Sequence, residues 1–191
     1  MDKTRVKSRI VGALEPCEFL SWLNPPDLVS RPTETPFFNG AKVAYLWQFN
    51  DCENLTVEAG DRALERFFNF DAGLKKEMAQ KAYQNWLDYN EMVGLLEAIE
   101  VYQEEEDRPD WMEKSLQRLL PLRNLNTPDD VWEHISPTEV VITMDLWSAE
   151  PDIYLQILCD CTWEEEHGIQ FILKNGSKLT RVSEQDGDLS D

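Results

Sequence analysis

The chain has 191 residues, enough to bury a sizeable core as one domain, and its 42% hydrophobic and 10% aromatic content is that of a folded protein rather than a disordered one. Thirty-seven acidic against 18 basic residues give a formal net charge of −19, which argues against nucleic acid and anionic membrane surfaces as partners, since both are gripped by Lys and Arg. A basic protein or a cation is the partner class this charge permits, and solubility alone is the plain alternative.

Residues 1–36 resist assignment. Val6, Ile10 and Leu14 fall at helical spacing, Phe19, Trp22 and Leu23 form a second apolar clump, and Pro25, Pro26, Pro32 and Pro36 break the stretch up to Phe37. An irregular arm pinned by its aromatic side chains is expected. The basic N-terminus precedes an apolar run too short for a signal peptide, and no window reaches the roughly 18 apolar residues of a membrane span, so a cytoplasmic protein is expected. The four cysteines (Cys17, Cys52, Cys159, Cys161) lack framework spacing and read as reduced thiols.

From residue 37 to 127 a strand and then helices are expected. Val43, Tyr45, Trp47 and Phe49 alternate as in a strand, ended by Asn50 and Asp51. Ala63, Phe67 and Phe70 share a helical face over 57–70. After Asp71-Ala72-Gly73, a stripe of Leu74, Met78, Ala82, Trp86, Tyr89, Val93 and Leu96 predicts one long helix ending near Glu100. Glu104 to Asp107 is an acidic loop. Asp110 is an N-cap candidate for a helix over Trp111–Leu120, and Thr127-Pro128-Asp129-Asp130 starts a further helical turn.

Residues 128–183 close the domain as an antiparallel meander. Val140, Ile142, Met144 and Leu146 alternate on one strand, with a loop at Ser148–Pro151. Ile153, Leu155, Ile157, Cys159 and Cys161 alternate on the next. Asn175-Gly176 is a two-residue hairpin signal that pairs Lys174 with Ser177, Phe171 with Thr180 and Ile169 with Val182. Residues 184–191 are an acidic tail expected to fray. Helices in the middle and strands at the end predict a single α+β domain, its helical region packed on the meander.

Candidate chemistry gathers between Cys159 and Gly168. Asp160, Trp163, Glu164, Glu165, Glu166 and His167 are the candidate binding residues. Cys159 and Cys161 with His167 and His134 would make soft metal ligands, but C-x-C on a strand points both thiols into the face already taken by Ile153, Leu155 and Ile157, which favours core thiols. The clustered acids could hold a hard cation but lack calcium-loop spacing. His134, His167 and Glu166 remain weak metal candidates, and no cofactor is expected. Glu166 beside His167 offers acid–base groups, yet no nucleophile elbow or phosphate loop accompanies them, so an enzyme is disfavoured. The plainest reading is a specified turn, with Trp163 covering the sheet end and Gly168, Asn175 and Gly176 serving backbone geometry.

Cys161-x-Trp163-x-x-Glu166-His167-Gly168, with Val131-Trp132-Glu133-His134-Ile135-Ser136-Pro137 upstream, resembles a bacterial family of domains of unknown function whose members read Cys-x-Trp-Asp-x-Glu-His-Gly-Leu near their C-termini. The likeness spans residues 128–182. Glu164 and Ile169 stand where that family often has Asp and Leu, and Arg181-Val182-Ser183 where Val-Gly is usual. The resemblance implies an uncharacterised cytoplasmic protein and carries over no catalytic residue. Charge and motif together point to a non-enzymatic acidic module that binds a basic protein, of the immunity type by analogy. The alternative is a metal-dependent or acid–base enzyme using Glu166 and His167.

Overall fold

The computed structural model describes residues 6–17, 26–49, 55–145 and 152–189. Expectations for Phe19, Trp22, Leu23, Asn50, Asp51, Cys52, Leu146 and the loop at 148–151 lie outside these residues. Within them the chain forms one α+β unit: a nine-stranded, mostly antiparallel sheet with helices against it.

Among its described residues the N-terminal stretch is not irregular. It carries β1 (Lys7–Ser8), β2 (Gly12–Pro16), β3 (Leu28–Ser30) and β4 (Thr33–Thr35). β5 (Ala41–Trp47) comes next, then α1 (Val57–Phe68), α2 (Ala72–Val93), α3 (Leu95–Glu104) and α4 (Asp110–Leu119). The chain ends in β6 (Ile135–Met144), β7 (Ile153–Cys161), β8 (Ile169–Lys174) and β9 (Lys178–Ser183). Strand order is β1-β2-β3-β5-β6-β7-β8-β9, with β4 also paired to β5.

β5 and β6 run parallel, with Tyr45 opposite Val140. A parallel pair needs a long crossover, and here all four helices lie within it, which places them over the sheet. Val43, Tyr45, Trp47, Val140, Ile142, Leu155, Ile157, Cys159, Ile169, Phe171 and Leu173 form the face they cover, all buried in one cluster with Leu64 and Phe67 of α1 and Met78, Ala82 and Trp86 of α2. Complete burial of an aliphatic chain or phenylalanine of this set stabilises the fold by about 1.5–3 kcal/mol.

Helix boundaries follow local chemistry. The Thr56 side chain accepts from the Ala59 N–H to start α1, and Asp71 accepts from Leu74 to start α2. The single long helix expected to Glu100 is two: Gly94, in the left-handed region at φ 68°, caps α2 and α3 begins immediately after it. α4 starts one residue earlier than expected, with Pro109 rather than Asp110 at the cap. The turn at Pro128–Glu133 carries a capping box between Thr127 and Asp130.

The hairpin turn has positive φ at Asn175 and Gly176 as its sequence requires, but the register differs from the two-residue closure. Lys174 pairs with Lys178, Leu173 with Leu179 and Phe171 with Val182, with a bulge between Ile172 and Leu173. Ser177 and the bulge each add one residue, so the far end slips by two and Val182 still faces the core side with Phe171. α1 explains why the turn is so tight. A Cβ on Gly176 would lie 1.9 Å from the Ala63 carbonyl oxygen, so the helix backbone seats directly on the turn.

The tail is not frayed through 189. On the sheet face opposite the helices, Gln170 Nε2 donates to Asp186 Oδ1 at 2.7 Å, Gln156 Nε2 to the Gly187 carbonyl at 3.4 Å, and Arg181 pairs with Asp186 and Asp188. Gln170 is fully buried as a result.

Candidate functional site

The Cys159–Gly168 stretch separates into a buried half and an exposed half. Cys159 and Cys161 are free thiols buried on the core face. Burial pushes the Cys159 thiol well above its ordinary range and the Cys161 thiol up to about 12, so both are protonated, unreactive thiols of the core. Trp163 is also buried, at 2% exposure. Its Nε1–H donates to Asn85 Oδ1 of α2 at 3.0 Å and its ring lies 6.1 Å from that of Trp86. Trp163 is therefore not a contact residue; it anchors the turn to α2 from inside.

Gly168 sits at φ +63°, and a Cβ there would fall 2.4 Å from the Cys159 carbonyl oxygen and 2.6 Å from Gln185 Nε2. Both the left-handed backbone and the close approach demand glycine. The turn is tied at its other end by the His134 carbonyl, which accepts from the Thr162 N–H at 3.0 Å. Arg118 of α4 donates to the Thr162 carbonyl at 2.9 Å and pairs with Glu165 at 3.1 Å.

Among the acids, Glu164 is the organising one. Its Oε1 accepts from the Glu166 N–H at 2.9 Å and the His167 N–H at 3.2 Å. Burial pushes its carboxyl up, but these two N–H donors, the Tyr89 hydroxyl and the neighbouring His167 together hold it below the usual carboxylate value. Tyr89 is shifted up in turn, by its own burial and then by the Glu164 charge. The carboxylate near His167 Nδ1 is thus Glu164, at 3.8 Å. The expected Glu166–His167 pair is not what the turn assembles: Glu166 is exposed and reaches Glu164 through its backbone.

Asp160 is exposed on β7 opposite Ser136. His134 is half-buried at the end of the capping turn. Burial lowers its pKa, against opposing pulls from Glu133 and Asp130. Among the described residues, the His, Cys, Asp and Glu ligand atoms that converge are those of Glu164, His167 and Glu184, all within 4.8 Å of one another. His134 and the two cysteines are outside that set, and Glu184 was not anticipated.

These side chains line a groove of about 440 Å³ between α2 (Asn85, Asp88, Tyr89, Met92), the turn (Glu164, His167, Gly168) and the end of β9 (Val182, Ser183, Glu184). Asn85 and Tyr89 are one helical turn apart, so one face of α2 supplies both the anchor for Trp163 and the donor for Glu164. A trace of this was readable in the Trp86–Tyr89 stripe. The contributions of Arg118 and Glu184 come from chain positions with no local signal.

Two further features bear on what the groove can bind. Among the described residues, no helix is long and apolar enough to cross a membrane. Among the described residues, the exposed large hydrophobic side chains are Val6 and then Leu87, Met92, Val93, Val101, Trp111 and Leu120, the last six between α2 and the residue that follows α4. A family model described as a domain of unknown function (DUF6985) matches residues 10–189, a far longer stretch than the 128–182 resemblance. Neither the curated proteins nor the solved structures gave a match.

Proposed function

The chain belongs to the DUF6985 family of domains of unknown function, and on that premise we propose that it is a protein-binding module for a basic partner, neutralising it in the manner of an immunity protein. The observation that carries this reading is the helical surface beside the groove. Met92 (72% exposed) on α2, Val101 (61%) on α3 and Trp111 (58%) on α4 stand in water, and the same helices and their loop carry the exposed acids Asp88, Glu91, Glu97, Glu100, Glu104, Glu105, Glu106, Asp107 and Asp110. Exposed aromatic and thioether chains are the usual anchors of protein interfaces, and a surrounding field of one sign steers an oppositely charged partner.

The bases in this region are largely occupied. Arg108 donates to the Tyr102, Gln103 and Glu105 carbonyls and pairs with Glu113, which orders the acidic loop, and Arg118 is held by the turn. Met92 also lines the groove, where Asp88 and Glu184 add exposed acids.

A lysine-rich amphipathic peptide tests the proposal in a calorimetric titration. Trp111→Ser and Met92→Ser are each expected to weaken binding by about tenfold, the effect of losing an interface anchor worth about 1.4 kcal/mol. Val6→Ser, on the opposite end of the chain, should leave it unchanged. Equal binding by all three variants, or binding indifferent to salt, would refute the reading.

A further inference from the structure

We propose that Glu164, His167 and Glu184 form a binding site for a borderline first-row divalent cation, with Zn²⁺ as its best fit. The inference does not depend on the protein-binding reading. Its three ligand atoms lie within 4.8 Å of one another, and they come from two separate elements, the turn after β7 and the end of β9. One imidazole with two carboxylates is a mixed nitrogen–oxygen set. Calcium and magnesium favour all-oxygen shells and soft ions favour thiolates, so the intermediate ions match this set best.

The distances agree with that chemistry. Bonds of about 2.0–2.2 Å in a tetrahedral shell put ligand atoms roughly 3.3–3.6 Å apart. His167 Nδ1 already stands 3.8 Å from Glu164 Oε1. A pair at the 4.8 Å limit has to close by roughly 1.2–1.5 Å, and His167 and Glu184 are both exposed side chains.

The two arms are also fixed to each other by a contact that has nothing to do with their charges. Gln185, next to Glu184, donates its Nε2–H to the Cys159 carbonyl at 2.9 Å. Gly168, next to His167, packs on that same carbonyl oxygen, closely enough that a Cβ would sit 2.4 Å from it. One backbone atom of β7 therefore positions the neighbours of two ligands. The third, Glu164, is oriented by the Glu166 and His167 N–H groups and the Tyr89 hydroxyl. Hydrogen-bonded carboxylates of this kind are what metal sites use to hold a ligand in place. A cation would also relieve the repulsion between Glu164 and Glu184, and three protein ligands leave a coordination position for solvent or for a donor from a partner.

The test is titration of the full chain, purified without a metal-affinity step and stripped with chelator, with ZnCl₂ by calorimetry and CoCl₂ by visible absorption. Saturable one-to-one binding is expected. His167→Gln and Glu184→Gln, both exposed substitutions that should leave the melting temperature intact, are each expected to weaken it by at least tenfold, the smallest loss usual even for groups that only support a ligand. His134→Gln and Asp160→Asn should match the parent within about twofold. Absence of saturable binding overturns the proposal, as does binding that survives both His167→Gln and Glu184→Gln, which would mark it as general attraction to surface acids.

Discussion

Gly168 shows how much a single position can decide here. Its left-handed backbone alone would cost an alanine about 1–2 kcal/mol, and the 2.4 Å approach to the Cys159 carbonyl adds a clash with a strand that cannot retreat. Gly168→Ala should therefore lower unfolding free energy by more than about 2 kcal/mol in urea titrations; a loss under about 1 kcal/mol would mean that the turn relaxes freely. Glu164 offers a second check. Its carboxyl is held below the ordinary value of 4.5 in the folded protein, so the stabilisation it gives is complete above that value and is lost as pH falls through the folded-state pKa. The stability gap between the parent and Glu164→Gln should thus be widest near neutrality and close on acidification below pH 4.5. A gap that stays constant with pH would show that the charge is not what the N–H donors recognise. The need for glycine at 168 and the burial of Cys159 and Cys161 were readable from residue type and strand alternation. That Glu164 rather than Glu166 organises the turn was not, because three adjacent glutamates carry no mark of which one the backbone curls around.

At the scale of elements, the strands and helices of the domain followed their periodicities, and the departures share a cause. The helix break at Gly94 falls inside an apolar stripe that runs on in register into Leu96, so the pattern hides it. The hairpin register depends on Ser177 and a bulge next to Leu173, and the seat of the turn on α1 lies more than a hundred residues away in sequence. The N-terminal strands are two to five residues long and alternate too briefly to stand out. The tail has the composition of a loose end, while its anchors, Gln156, Gln170 and Arg181, are on other strands. Deleting residues 184–191 should cost about 2 kcal/mol or more, since it takes Asp186 from the buried Gln170 amide, leaving it Ser183 Oγ, and removes the tail partners of Gln156 and Arg181. In a chain of this size that corresponds to roughly 4–8 °C in melting temperature. An unchanged melting temperature would restore the frayed tail.

For the whole molecule, the parallel β5–β6 pairing sets the architecture. It forces the crossover that carries α1 to α4, makes α2 one wall of the groove, and turns the outer sides of α2, α3 and α4 to solvent with their acids and exposed apolar chains. Net charge alone permits a basic partner without saying where one would dock, because placement depends on which face of each helix the sheet consumes. A photo-crosslinking amino acid installed at position 111, at position 92 and, as a distant reference, at position 34 tests the docking claim most directly. The expected result is one discrete basic protein, with an isoelectric point above about 9, crosslinked from positions 111 and 92 but not from 34, in a yield that falls in about 0.5 M salt. Equal crosslinking from all three positions, or none from 111 and 92, would contradict it.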